Sequence, residues 1–349
     1  MKTSGLLGAL LLVWASTTFA QSALTEKGEI SGRVYSDYFW VASNHNSDLE
    51  GKNGFWIRRV YFTYDYQISE AFSGRFRLEG NSPGQFNTEA KITPVVKDLY
   101  LQWENDQHQI LAGISPTPTF ALIEDVWGYR SVEKSPLDLL KFASSRDFGI
   151  AFEGELDTDG RLNYHFMVGN GNSNSSETNP GKKFMLSLSY ELTDHLVAEV
   201  YGDYNDQFEN QDWFTLQGFL GYQSDSFNLG LLFAHQQRQN ATQYSAGNEV
   251  DLNLEMASVF SNFTLSEKTQ GFLRVDRTFD NINGVQNNDY FPISSQSAST
   301  ILIAGLDFEL DNNIHLMPNL EAAIYDESDL TGTTPGTDLI PRLTLAYNF

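Results

Sequence analysis

The sequence has no cysteine and little positive charge. Across 349 residues the absence of Cys excludes disulfides, zinc–thiolate sites, iron–sulfur clusters and thiol nucleophiles. Lys and Arg number 22 against 45 Asp and Glu, a formal net charge of -23. A chain that tracks along nucleic acid needs a basic surface, so that partner class is excluded. Beyond residue 20 no run of eighteen apolar residues occurs, so no transmembrane helix is expected. Aromatic residues, by contrast, are plentiful: 25 Phe, 16 Tyr and 6 Trp. Mean hydropathy is nevertheless negative. An acidic, aromatic-rich, Cys-free and on average hydrophilic chain is unusual for a soluble enzyme.

The first twenty residues read as an address. Lys2 supplies a positive start, Leu6 to Ala15 form a short apolar core, and Thr18-Phe19-Ala20 gives a small-x-small site before Gln21. This is the pattern of a secretory signal peptide cleaved after Ala20, and the apolar run is too short for a membrane anchor. Residues 21–349 are expected to form one exported domain.

The rest of the chain alternates with period two. Val60, Phe62, Tyr64, Tyr66 and Ile68 share one parity, and Arg59, Tyr61, Thr63, Asp65 and Gln67 the other. The same pattern recurs at Phe148 to Leu156, at Phe184 to Leu192 and at Leu339 to Phe349. Sixteen such segments can be placed, near 29–42, 54–68, 72–81, 94–104, 108–115, 147–157, 161–169, 182–192, 195–205, 212–223, 227–238, 249–265, 270–280, 299–310, 314–325 and 338–349. Most are about 10 to 12 residues, the reach of a tilted strand across a bilayer. Short turns and long polar loops alternate between them. An even number of strands with tight turns at one end and long loops at the other predicts an all-β transmembrane antiparallel barrel of 16 strands. A soluble β-sandwich also alternates but does not require this uniformity. Trp40, Trp103, Trp213, Tyr347 and Phe349 lie near segment ends, where interfacial girdles belong. Lys97 and His235 fall on the lipid-facing parity toward the loop side, and a change of phase near Ala257 to Val259 suggests a bulge.

The chain ends Leu343-Thr344-Leu345-Ala346-Tyr347-Asn348-Phe349, alternating to a terminal Phe. That end resembles the C-terminal sorting signal of outer-membrane barrels. Phe55-Trp56-Ile57-Arg58-Arg59-Val60-Tyr61-Phe62, Arg75-Phe76-Arg77-Leu78-Glu79 and Val96 to Trp103 carry a further likeness. So does the stretch from Ala112-Gly113-Ile114-Ser115-Pro116 to Ser144-Ser145-Arg146-Asp147-Phe148. Over roughly residues 30–157 and the last strand, the chain resembles the phosphate-selective porin O/P family of Gram-negative outer membranes. The resemblance implies a sixteen-stranded porin, usually a homotrimer, with loops folded into the pore.

A barrel of sixteen strands is too wide for its own side chains to fill, so loops must narrow it. The longest connection, 116–146, carries apolar anchors such as Phe120, Val126, Trp127, Leu139 and Phe142 together with the acids Glu124, Asp125, Glu133 and Asp138. Loops of that length are usually functional. One reading folds it inward with its acids toward the pore; the other makes it an external lid or a subunit contact. Arg33, Arg59, Arg75 and Arg77 fall on the lumen parity of the first three strands, and Arg342 on the last, which closes beside the first. Arg stays charged and suits carboxylate and phosphate groups. Acids opposite this wall would set a transverse field at a constriction. Alternatively, these Arg pair with lumen acids such as Asp37, Asp65 and Glu79 and hold the wall rigid.

The expected function is a water-filled channel for small hydrophilic solutes or ions in the outer membrane, with lipid and lipopolysaccharide as surroundings. The family likeness suggests phosphate or other anions. The loops argue otherwise: Asp48, Glu50, Glu89, Glu177, Asp206, Glu209, Asp289, Glu327 and Asp329 would gather cations at the mouth. A non-conducting structural or adhesive barrel remains a further alternative. No cofactor, metal site or catalytic residue is expected: the six His are scattered without a Ser partner. Asp157-Thr158-Asp159-Gly160 opens like a calcium loop but lacks the remaining ligands, so it reads as a turn.

Overall fold

The computed structural model describes residues 27–84, 86, 91–177, 179–207, 211–242, 249–282 and 290–349. The expected signal segment lies outside the described residues, as do the loop acids Glu89, Glu209 and Asp289. The first half of the chain forms β1 (Gly28–Trp40), β2 (Asn53–Gln67), β3 (Phe72–Gly80), β4 (Val95–Glu104), β5 (His108–Pro116), β6 (Arg146–Glu155), β7 (Leu162–Gly169) and β8 (Lys183–Thr193). The second half forms β9 (Leu196–Asn205), β10 (Trp213–Gln223), β11 (Phe227–Thr242), β12 (Glu249–Ser266), β13 (Thr269–Thr278), β14 (Ser299–Asp311), β15 (Ile314–Tyr325) and β16 (Asp338–Asn348). Each strand pairs antiparallel with its sequence neighbours, and β1 pairs with β16 from Arg33↔Asn348 to Phe39↔Arg342. The sheet is therefore a closed barrel of sixteen strands, as the alternation predicts. Closure leaves no unpaired edge, which is what lipid requires of a spanning sheet.

Asx-type hydrogen bonds make two of the tight turns. Asn105 Oδ1 accepts from the backbone N–H groups of Gln107 at 2.9 Å and His108 at 2.7 Å. Asp157 Oδ1 accepts from Arg161 N–H at 2.8 Å and Leu162 N–H at 3.1 Å, so this Asp organises a turn. The two faces separate as expected. Phe148, Ile150, Phe184, Leu186, Val200 and Leu343 are exposed on the outside, while Ala151, Met167, Met185 and Tyr201 are buried inside.

Four expectations about facing differ from what is found. Trp213 shares the inward parity of buried Thr215 and Gln217, and Arg238 sits over its ring at 4.1 Å, so it is no girdle residue. The pairing of β1 with β2 steps from Tyr35↔Arg59 to Ser36↔Ile57, so Arg58 is an inserted residue. That bulge sends both Arg58 and Arg59 inward, where strict parity allows only one. The pairing of β3 with β4 skips Lys97 in the same way, stepping from Arg77↔Asp98 to Leu78↔Val96. Lys97 consequently meets the inner acid Glu79 at 3.1 Å and does not face lipid. Finally, β12 has no bulge at Ala257 to Val259: its pairing with β11 runs unbroken from Phe263 to Leu252. The apparent change of phase arises because Leu252, Leu254, Met256 and Phe260 point inward and are buried.

What covers them is the chain itself. Leu254, Met256 and Phe260, with Phe272, Ile301, Ile303, Ala323 and Ile340 from β13 to β16, form one cluster with Ile123, Val126, Trp127, Leu137, Leu139, Leu140 and Phe142 of the loop after β5. Burying each large apolar side chain is worth on the order of 1.5–3 kcal/mol. An apolar inner wall is thus matched by an apolar loop, with Tyr290, Phe291 and Ile293 adding to the same core.

Candidate pore lumen

The segment between β5 and β6 carries two short helices, α1 (Ala121–Trp127) and α2 (Pro136–Leu139). In α1 the residues Ile123, Val126 and Trp127 share a face and are buried. Gly128 ends the helix at φ 70°, a left-handed conformation that Gly adopts without a steric penalty. Pro136 opens α2 at a position where its missing N–H costs nothing.

The barrel holds this segment from many sides. α1 lies against β10, β11 and β12. Asn262 on β12 donates to the Val126 and Trp127 carbonyls, at 3.1 Å each. Gln217 donates to the Thr119 carbonyl at 3.3 Å, Gln236 to that of Phe142 at 2.6 Å and Arg238 to that of Lys141 at 2.9 Å. Across the ring, Arg58 on β2 donates to the carbonyls of Ser131 and Val132, and Arg274 on β13 to that of Lys134. Ser131 Oγ reaches Met317 Sδ on β15 at 3.6 Å. A segment touching the inner faces of strands spread over more than half of a closed ring runs through its interior.

The basic residues named from the sequence part into two groups. Arg33, Arg75 and Arg77 line a cavity of about 550 Å³, joined there by Lys97, Arg146 and, from the loop, Arg130. Arg75 pairs with Asp65 at 2.6 Å, and Arg77 with Asp98 at 2.9 Å while donating to Thr63 at 2.8 Å. Arg146 also pairs with Asp98. Arg33 has no ion pair among the described residues, where its side chain is exposed to the cavity. Arg59 is set back, paired with Glu79. Arg342 leaves the lining altogether. Its side chain is fully buried and holds Glu321 at 2.6 Å and the Tyr290 carbonyl at 2.5 Å.

The four loop acids do not form one face toward that wall, as the inward reading expected. Glu124 pairs with Arg130 of its own loop at 2.9 Å and is, among the described residues, the one acidic side chain lining the basic cavity. Asp125 is exposed, accepts from Gln223 at 3.1 Å and lines an adjoining cavity together with Arg33, Glu124 and Arg130. Glu133 is buried 3.6 Å from Arg342, and Asp138 is buried with Arg130 at 3.3 Å and Lys134 at 3.9 Å. The physical reason is cost: a carboxylate packed this deeply needs a cation beside it, and the loop and wall supply one each time. Electrostatics follow the contacts. Burial alone would raise the Asp138 carboxyl, but Lys134, Arg130 and Arg59 outweigh it and hold it well below the carboxylate range. Glu133 is also held low, because Arg58 and Arg342 overcome its burial. Burial pushes the Lys134 ammonium down to about 8. Tyr129 is pushed up by burial and by Asp307, with its hydroxyl donating to Gln270 at 2.8 Å.

Sequence reasoning missed Arg58, Lys97, Arg130, Arg146 and Arg274. The Arg58-Arg59 tandem was a usable signal, since one of two adjacent charges must be redirected if neither is to meet lipid. Arg130 and Lys134 interleave with the loop acids, a signal of internal pairing that the sequence reading did not use.

No protein-family model matches the chain, and no curated relative matches it, so membership of the phosphate-selective porin O/P family is not shown. Solved structures do resemble it. OmpF of Salmonella typhi, in complex with daunomycin, is 12% identical with a TM-score of 0.67, covering 92% of this chain and 97% of its own. The anion-selective porin from Comamonas acidovorans is 12% identical with a TM-score of 0.66, covering 92% and 99%. The outer membrane channel DcaP of Acinetobacter baumannii is 12% identical with a TM-score of 0.67, covering 92% and 97%. At this identity the likeness is one of fold: the chain has the fold of outer-membrane porins.

Proposed function

We propose that the protein is a diffusion channel of the Gram-negative outer membrane, exported through its N-terminal signal and assembled as a homotrimer among phospholipid and lipopolysaccharide. Small hydrophilic solutes or ions pass through it down their gradients, and the residues need do no chemistry. In this reading loop 116–146 is the constriction, and passage runs on its basic side. The observation that carries it is the cavity left open between the loop and the inner wall of β1 to β6, beside a sector that apolar packing fills. Planar-bilayer recording of the purified protein tests it. Discrete conductance steps are expected, and a folded barrel without them would mark it as a structural or adhesive element instead.

A second reading concerns charge. The acidic loops favour cations at the mouth, but among the described residues the cavity beside β1 to β6 has six cationic side chains and one acidic one along its lining, while the adjoining cavity adds Asp125 and Asp307. Several of their counter-charges lie behind the surface: Asp98 and Glu79 are buried. Fixed cations at the narrowest point favour small anions, with phosphate among the candidates. The reversal potential in a salt gradient distinguishes anion preference at the passage from cation preference at the mouth.

A further inference from the structure

The loop backbone is held across the barrel by arginines the proposed passage does not use. We infer that Arg58 and Arg274 are positioning residues, two buried wall guanidinium groups that grip the backbone of residues 131–134 and so fix the width of the passage. The inference rests on the reading of loop 116–146 as the constriction.

Their surroundings argue for it. The side chains are 6% and 0% exposed. Charges buried so deeply are tolerated only when paired and fully hydrogen-bonded. Arg58 meets Asp37, which also accepts from Trp56 at 2.8 Å and from Thr344 at 2.6 Å. Arg274 meets Asp276 at 2.6 Å, and Asp276 accepts from Ser258 at 2.6 Å. Each pair would satisfy the wall by itself. Yet each guanidinium keeps N–H groups for the loop: Arg58 for the carbonyls of Ser131 and Val132, Arg274 for that of Lys134. These carbonyls lie between α1 and α2, and no backbone N–H takes them among the described residues. Without the arginines they would be buried and unpaired. β2 and β13 are separated in the ring by β1, β16, β15 and β14, so the two grips span the filled sector. Because they hold backbone, the tether does not depend on which side chains the loop presents to the passage. A planar fork can serve a carboxylate and a carbonyl together, which a lysine ammonium does less well.

The double variant Arg58→Lys, Arg274→Lys keeps both charges beside Asp37 and Asp276 while losing the fork. Single-channel conductance should rise about twofold or more, with rapid substates, as the loop is released. Rescue separates positioning from wall stability. With no native Cys, Ser131→Cys and Met317→Cys can be joined by a short bifunctional thiosulfonate reagent. Cross-linking should return the double variant to the parent conductance, and reduction should undo the effect. Unchanged conductance in a correctly folded double variant, or failure of the cross-link to restore it, overturns the inference. If the double variant does not assemble, the same cross-link in the otherwise native chain decides: a loop already held should conduct alike before and after, and a changed conductance overturns the tether. Should the native protein not conduct at all, the channel reading fails. The tether is then still read by thiol labelling of Val132→Cys, slow in the native background and fast with Arg274→Lys; equal rates would overturn it.

Discussion

Arg342 on the last strand stands 3.6 Å from Glu133 of the inner loop and 2.6 Å from Glu321 on the neighbouring strand. A wall cation thus serves two carboxylates, one fixed and one belonging to the loop. Removing one member of such a buried set strands the others, at a typical cost of about 3–5 kcal/mol. Arg342→Met should lower the urea midpoint of the folded barrel and add noise to the open channel. The triple change Arg342→Met, Glu321→Gln, Glu133→Gln should recover most of the lost stability, because no uncompensated charge remains. Unfolding followed by the gel-mobility shift of the barrel measures both.

The basic wall gives a charge prediction. Arg75 and Arg77 face the cavity, and Asp98 behind them answers both Arg77 and Arg146. Neutralising Arg77, Arg146 and Asp98 together removes two cations and one anion without leaving a buried charge alone; adding Arg75→Gln removes a third cation. Fixed charges in a narrow site set potentials of several kT, so the permeability ratio should move toward cations by roughly 3- to 10-fold. The reversal potential reads the change directly, and a ratio equal to that of the parent would remove these residues from the passage.

Sixteen strands were legible in the sequence because the inside–outside rule acts on every strand and repeats. The failures have local causes. A bulge adds one residue, and parity counted through it is inverted from that residue on, which is how Arg58 and Lys97 escaped. At β12 the alternation is intact but both faces are apolar, since the inner one meets the loop and the outer one meets lipid. Loop 116–146 was recognisable by length and by its apolar anchors. The partners of Glu133 and Asp138 were not, because ion pairing across a ring depends on which strands face each other in space and not on spacing along the chain.

The loop should respond to pH at both ends of the scale. Asp138 is held below the ordinary carboxylate value when docked and regains that value when released. Its contribution is therefore fully present above about pH 4 and is lost as pH falls below that. Lys134 shifts docking in the same direction for a different reason, since docking disfavours its charged form. It is held down to about 8 when docked, so the released loop binds the extra proton and docking strengthens as pH rises from about 8 to 10. Channel noise should grow below about pH 4 and diminish slightly above pH 8. Asp138→Asn should shrink the acid limb to the share carried by Glu133, which Arg58 and Arg342 also hold low, and recordings over that range check both limbs.

Trp127 offers the most direct test of whether apolar packing, as well as hydrogen bonding, seats the loop. Its ring is fully buried, edge-on to Phe260 at 5.5 Å and to Phe272 at 6.1 Å, with Arg274 stacked at 5.5 Å and its indole N–H donating to the Glu133 carbonyl at 3.1 Å. Trp127→Ala removes a large volume that the rigid strands cannot close around, a loss of about 3–5 kcal/mol in a typical core. Here the loss falls on the loop, because the strands are held by their own closed ladder. The barrel should therefore still fold and resist denaturant nearly as before, while α1 leaves its seat and conductance rises. Trp127→Phe keeps most of the ring but gives up the indole hydrogen bond, and should fall between. Equal conductance in all three proteins would show that the loop is held by its polar contacts alone. A barrel that no longer folds with Ala would mean instead that the inner cluster belongs to the stability of the wall.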